Sequence, residues 1–170
     1  KFSYPVNTFP GKMELTLNGK KLKPGADFII LPESNGLTSS GVLQQKDSIT
    51  YLNENDRLVI KEENKLTWSV GTKVEDYTMI LLNRNSFKEQ PHSYTVKIEN
   101  KFVDQFSASN ICGYVRGTLQ PDSFLFITAH FDHLGGMGKE TFFPGANDNA
   151  SGVALMLELA RYYALHPQPY

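Results

Sequence analysis

Residues 123–129, Ser-Phe-Leu-Phe-Ile-Thr-Ala, form an almost unbroken apolar run that ends on His130-Phe131-Asp132-His133-Leu134-Gly135. Such a run suits a central strand covered on both faces. Gly135-Gly136-Met137-Gly138 follows and reads as a flexible loop. The next stretch is Phe143-Pro144-Gly145-Ala146-Asn147-Asp148-Asn149-Ala150-Ser151-Gly152. From Asn149 to about Leu165 the pattern is helical. Val153, Met156, Leu157, Ala160 and Ala164 mark one face, and Leu155, Leu159 and Tyr162 make the other side apolar too. A helix apolar most of the way round is buried between layers. Strand, loop and helix in that order predict an α/β sandwich, with His166-Pro167 ending the helix.

The first ~90 residues read differently, as a β-rich module. Met13-Glu14-Leu15-Thr16-Leu17 alternates and then meets Asn18-Gly19, a strong hairpin signal, with Lys20-Lys21-Leu22 as the return strand. Phe28–Leu31, Ser48–Leu52, Arg57–Ile60, Leu66–Val70 and Tyr77–Leu82 are further strand candidates. Ser34-Asn35-Gly36 and Thr38-Ser39-Ser40-Gly41 read as loops. The change of organisation falls in the polar stretch from Asn83 to Ser93, which carries Pro91. Two domains are therefore expected, 1–90 and 91–170. In the second, Tyr94–Glu99 and Asn110–Gly117 are expected strands.

The charge balance excludes some functions. A formal net charge of -1 with scattered Lys and Arg gives no basic footprint for nucleic acid or an anionic membrane surface. No run of ~18 apolar residues exists to span a membrane. The single cysteine, Cys112, sits in the apolar run Ile111–Val115 and reads as a buried core residue rather than a reactive thiol. A zinc site here must use His and carboxylates. The chain begins at Lys1 without an initiator Met, which fits a processed product.

His130 and Asp148 carry the chemistry. An imidazole at the carboxyl end of a strand and a carboxylate at the threshold of a helix are how a hydrolytic metal site begins. Asp132, two residues on from His130, can accept the proton of its other ring nitrogen and orient it. Asp148 lies where the helix dipole favours an ionised carboxylate, and its two oxygens can bridge two cations. Each residue has a duller reading: a hydrogen-bonded strand-end His, a turn Asp, a capping Asp. His133 is an additional candidate ligand. His92 and His166 lie in polar or terminal contexts, and Glu158 reads as an ordinary helix residue.

His130-Phe131-Asp132 together with Pro144–Gly152 resembles the signature of the co-catalytic di-zinc aminopeptidases, the family of bacterial leucyl aminopeptidases with glutamate carboxypeptidase and glutaminyl cyclase as more distant members. The resemblance runs from about Ser107 to Leu165. It implies a mixed sheet between helices, with His130 binding one zinc ion, Asp148 bridging two, and Asp132 as the outer partner of His130. It implies hydrolysis of the N-terminal peptide bond of a peptide substrate by metal-activated water, with a glutamate as general base. In the family that glutamate and the remaining ligands follow this helix. The chain is therefore expected to be the N-terminal part of a catalytic domain, inactive alone. Residues 1–90 would be a protease-associated-like module or lid, and export to the periplasm or outside the cell is the expected location.

Two other readings stand beside this one. A glutaminyl cyclase-like transferase would use a related single-zinc site. A non-catalytic binding or interaction protein would carry a degenerate peptidase domain. Oligomeric state and side-chain preference are not readable.

Overall fold

The computed structural model describes residues 1–120 and 122–169, and Pro121 and Tyr170 lie outside the described residues. The strands in chain order are β1 (Phe2–Thr8), β2 (Met13–Leu17), β3 (Lys20–Leu22), β4 (Phe28–Ile30), β5 (Leu37–Val42), β6 (Gln44–Gln45), β7 (Thr50–Asn53) and β8 (Leu58–Glu63). They continue as β9 (Thr78–Asn83), β10 (Ser93–Ile98), β11 (Lys101–Ala108), β12 (Gly136–Met137) and β13 (Thr141–Phe142), followed by one helix, α1 (Ser151–Leu165). The protein is sheet-rich with a C-terminal helix. It divides into two compact units, Lys1–Ala108 with Gly136–Phe142, and Ser109–Gly135 with Phe143–Tyr170.

The first unit is all β. Leu17 pairs with Lys20, so Asn18-Gly19 is a two-residue hairpin loop. Both its residues have positive φ, 50° and 79°, the conformation that matches the twist of the flanking strands. Met13, Leu15 and Leu17 are buried while Glu14 is exposed, so the alternation in β2 settles which face meets the core. One sheet has the order β3-β2-β10-β5, and the other β4-β9-β8-β7-β6. All pairs in the second sheet are antiparallel except β8 with β9. A parallel pair needs a long return connection, here Asn64–Tyr77. Leu66–Val70 belongs to that connection and not to a strand. Its Trp68 is nevertheless buried, edge-on to Phe9 at 5.9 Å between ring centres. Phe28, Ile30, Leu58, Ile60, Ile80 and Leu82 have no exposed surface and form the middle of the core.

Several expectations are corrected here. Thr38–Gly41 lies within β5, because β10 supplies a ladder partner for every residue of that strand. Tyr94–Ile98 pairs with β2 and β5, so the strand after the polar stretch belongs to the first compact unit. β1 and β11 form a two-stranded ribbon with a register shift between Tyr4 and Val6. Pro5 sits at that irregularity, where it has no ladder bond to supply. The glycine stretch ends in the β12–β13 hairpin rather than a flexible loop. The Gly138 N–H donates to the Phe9 carbonyl at 2.7 Å, and the Thr141 hydroxyl to the Pro24 carbonyl at 3.2 Å.

The second unit differs from the expected sandwich. Asn110–Gly117 and Ser123–Ala129 form no strand, and Phe124, Leu125 and Phe126 are exposed. A strand exists through its ladder partners, and none of the described residues pairs with these segments. Helix α1 forms close to where the periodicity predicts it, but none of its residues is buried. Cys112 is exposed as well, because the apolar run that contains it is not covered.

Candidate metal centre

The turn before α1 places the central carboxylate. The Ala150 N–H reaches back to the Gly145 carbonyl at 3.1 Å, closing a loop in which Asp148 and Asn149 have non-helical φ/ψ. The Asn149 side-chain oxygen accepts from the Gly152 N–H at 3.2 Å, and the Ser151 hydroxyl donates to the Asn147 carbonyl at 2.9 Å. Asn149 thus satisfies an amide at the helix start, the task a capping residue performs. Asp148 does not cap the helix, and its oxygens face imidazoles instead.

His130 Nε2 lies 3.1 Å from Asp148 Oδ1. On the other side of the ring, His130 Nδ1 lies 2.8 Å from the main-chain carbonyl oxygen of Asp132. A carbonyl only accepts, so Nδ1 is the nitrogen that carries hydrogen. The Asp132 carboxylate is more distant, with Oδ1 at 3.6 Å from Nδ1. The contact between Asp132 and His130 runs through the Asp132 main-chain carbonyl, whereas the expectation placed it at the carboxylate. His133 Nδ1 lies 3.9 Å from Asp148 Oδ2, the oxygen that His130 does not face.

The donor chemistry fits a cation. With Nδ1 engaged, Nε2 and a carboxylate oxygen confront each other as two electron-pair donors, an arrangement that a shared proton or cation relieves. Nitrogen and oxygen ligands at about 2.0–2.2 Å from a tetrahedral zinc lie roughly 3.3–3.5 Å apart. The observed 3.1 Å is close to that spacing. Two such donors make part of a site, since zinc commonly takes three or four from protein. Among the described residues no group of three or more His, Cys, Asp or Glu side chains is gathered to hold a metal.

The remaining candidates are not brought to this place. His166 stacks on Tyr162 at the end of α1, with its Nδ1 3.0 Å from the Tyr162 carbonyl. The His92 main chain bonds to the Asn18 side chain. Glu158 pairs with Arg161 one turn along the helix, and that hydrogen bond holds its carboxyl below the ordinary carboxylate range. The structure also places Asn149 and His133 beside the turn that carries Asp148. The signal for Asn149 was an Asx residue three before Gly152, and for His133 a second imidazole three residues after His130.

Sequence relationships agree with this geometry. Residues 110–170 match peptidase family M28. A probable zinc metalloprotease of Pyricularia oryzae is 43% identical over 73 residues, which is 42% of this chain and 14% of that protein. A probable zinc metalloprotease of Leptosphaeria maculans is 28% identical over 116 residues, 64% of this chain and 27% of that protein. Aminopeptidase YwaD of Bacillus subtilis is 33% identical over 93 residues, 54% of this chain and 17% of that protein. The chain thus spans well under a third of the length of these relatives. No solved structure matches the chain significantly. The stretch that sets His130 against Asp148 is thus the part of the molecule that is similar to peptidase family M28.

Proposed function

We propose that this chain contributes the first ligands of a zinc aminopeptidase site and that the protein carrying it removes N-terminal residues from peptides. The observation that carries the reading is the 3.1 Å approach of His130 Nε2 to Asp148 Oδ1, with the other ring nitrogen already engaged by the Asp132 carbonyl. His130 and Asp148 would hold the metal. Zinc held there would act as a Lewis acid toward a peptide carbonyl. The chain's own part is positional. The Asp132 carbonyl fixes the tautomer of His130, so its free nitrogen faces the site. The turn closed by Asn149 and Gly152 presents Asp148 with one oxygen toward each imidazole.

The names of the relatives, zinc metalloprotease and aminopeptidase, support the class. Two zinc ions per complete site, a β-rich lid or protease-associated-like module in the first compact unit, a catalytic segment in the second, and a location outside the cytoplasm complete the reading. No helix among the described residues is long and apolar enough to cross a membrane.

The test is hydrolysis of a panel of aminoacyl p-nitroanilides by the protein carrying this sequence, with chelator and after zinc is restored. Zinc-dependent release that His130→Ala and Asp148→Asn both abolish supports the reading. No release by a folded protein overturns it in favour of a cyclase-like transferase or a binding protein.

A further inference from the structure

We infer that His133 is a positioning residue that sets the orientation of Asp148 and so tunes the metal affinity of the site. The inference rests on reading His130 and Asp148 as ligands. Three observations carry it. First, the two imidazoles address different oxygens of one carboxylate, His130 Nε2 at 3.1 Å from Oδ1 and His133 Nδ1 at 3.9 Å from Oδ2. The longer distance exceeds a direct hydrogen bond and is within the span of one bridging water. A rotation of the carboxylate about its terminal bond changes both relationships together, so holding either oxygen restrains the other.

Second, His133 is the better sheltered of the two rings. Its side chain is 25% exposed against 52% for His130. Third, the backbone at residue 145 is built for it. A Cβ at Gly145 would come within 2.7 Å of the His133 Cβ and 2.7 Å of the Asp148 carbonyl oxygen. Only a residue without a side chain lets the 145–148 turn close on the His133 ring. Gly145 therefore couples the place of His133 to that of Asp148. Partners of metal-bound carboxylates and imidazoles typically change metal affinity 10–100-fold when removed.

The test compares zinc affinity, by calorimetry, for the protein carrying this sequence and its variants His133→Ala, His133→Asn and His133→Gln, with thermal unfolding recorded for each. The Asn amide nitrogen falls near the place of Nδ1, whereas that of Gln falls near Nε2. Expected are a loss of tenfold or more in affinity for His133→Ala and His133→Gln, and near-native affinity for His133→Asn. A merely structural His would not separate Asn from Gln in this way. Should His133→Ala not fold, the Asn and Gln pair carries the test. Native affinity in His133→Ala, or equal losses in the Asn and Gln variants, overturns the inference. His130→Ala and Asp148→Asn separate the two levels. If they abolish binding while the His133 variants do not change it, only the role of His133 falls. If they leave zinc binding intact, or the unaltered protein binds no zinc, the ligand reading falls and this inference with it.

Discussion

The Tyr94 hydroxyl donates to the Asp56 carboxylate, joining a strand of the four-stranded sheet to the turn between β7 and β8 of the five-stranded one. Ser39 of β5 donates to the same carboxylate oxygen. The two hydroxyls hold the Asp56 carboxyl below its ordinary range. Burial, together with the bond to Asp56, pushes Tyr94 up to about 12.

Raising the pH past the ordinary tyrosine range therefore destabilises the first unit. Below pH about 10 the phenol is neutral folded and unfolded. Between about 10 and 12 the unfolded chain ionises first and binds fewer protons than the native one, so stability falls as pH rises, by at most about 1.4 kcal/mol per pH unit. Urea unfolding of the wild type and Tyr94→Phe from pH 8 to 11 checks this. The variant starts about 1 kcal/mol less stable and has a shallower alkaline slope, because Tyr51, whose phenol burial also raises, still contributes.

Asn7 is 2% exposed, and its amide nitrogen donates to the Pro32 and Ser34 carbonyls, both at 2.8 Å. Its oxygen accepts from Asn100 at 3.0 Å. Asn7→Ala takes the donor from the Pro32 and Ser34 carbonyls, which belong to buried residues, a cost of about 1–3 kcal/mol. Asn7→Asp removes the amide hydrogens and is expected to be at least as damaging. Chemical denaturation of both variants measures the effect.

Gly145→Ala pushes its new Cβ into His133 and the Asp148 carbonyl. The expected result is a tenfold or larger loss of zinc affinity. The unfolding midpoint of the first unit is expected to stay unchanged, because Gly145 lies in the second unit. Calorimetric titration alongside two-probe thermal unfolding distinguishes these effects.

Removing either proposed ligand is the most severe change. His130→Ala and Asp148→Asn each take away one of the two donors at ligand spacing, and zinc-dependent hydrolysis is expected to fall by at least a hundredfold. Supplying excess zinc should not restore it, whereas it should restore a chelated wild type.

What the sequence made legible was local. The alternation of Met13–Leu17 and the Asn18-Gly19 pair define a hairpin without outside help, and the helical period of residues 151–165 marks α1. β1 was hidden because Pro5 interrupts it and its partner comes from a remote part of the chain. β5 was hidden because Thr38-Ser39-Ser40-Gly41 has turn-forming composition, and only β10 draws it into a ladder. Ser123–Ala129 shows the opposite failure. Its composition is that of a central strand, yet composition supplies no hydrogen-bond partners. In the candidate site, His130 and Asp148 stood out by residue type and order, one closing an apolar run and the other preceding the helix, although that run forms no strand. That Asp132 works through its carbonyl depends on a backbone bend that residue identities do not encode.

The β1–β11 ribbon also has a consequence in time. Thr8 bonds to Lys101 across 93 residues of chain. During synthesis at about 5–20 residues per second, β1 waits several seconds for its partner to emerge. Until then its aromatic side chains, Phe2 and Tyr4, have no ladder to occupy. Closing that ribbon is a late, non-local event, and the first unit should fold slowly for its size.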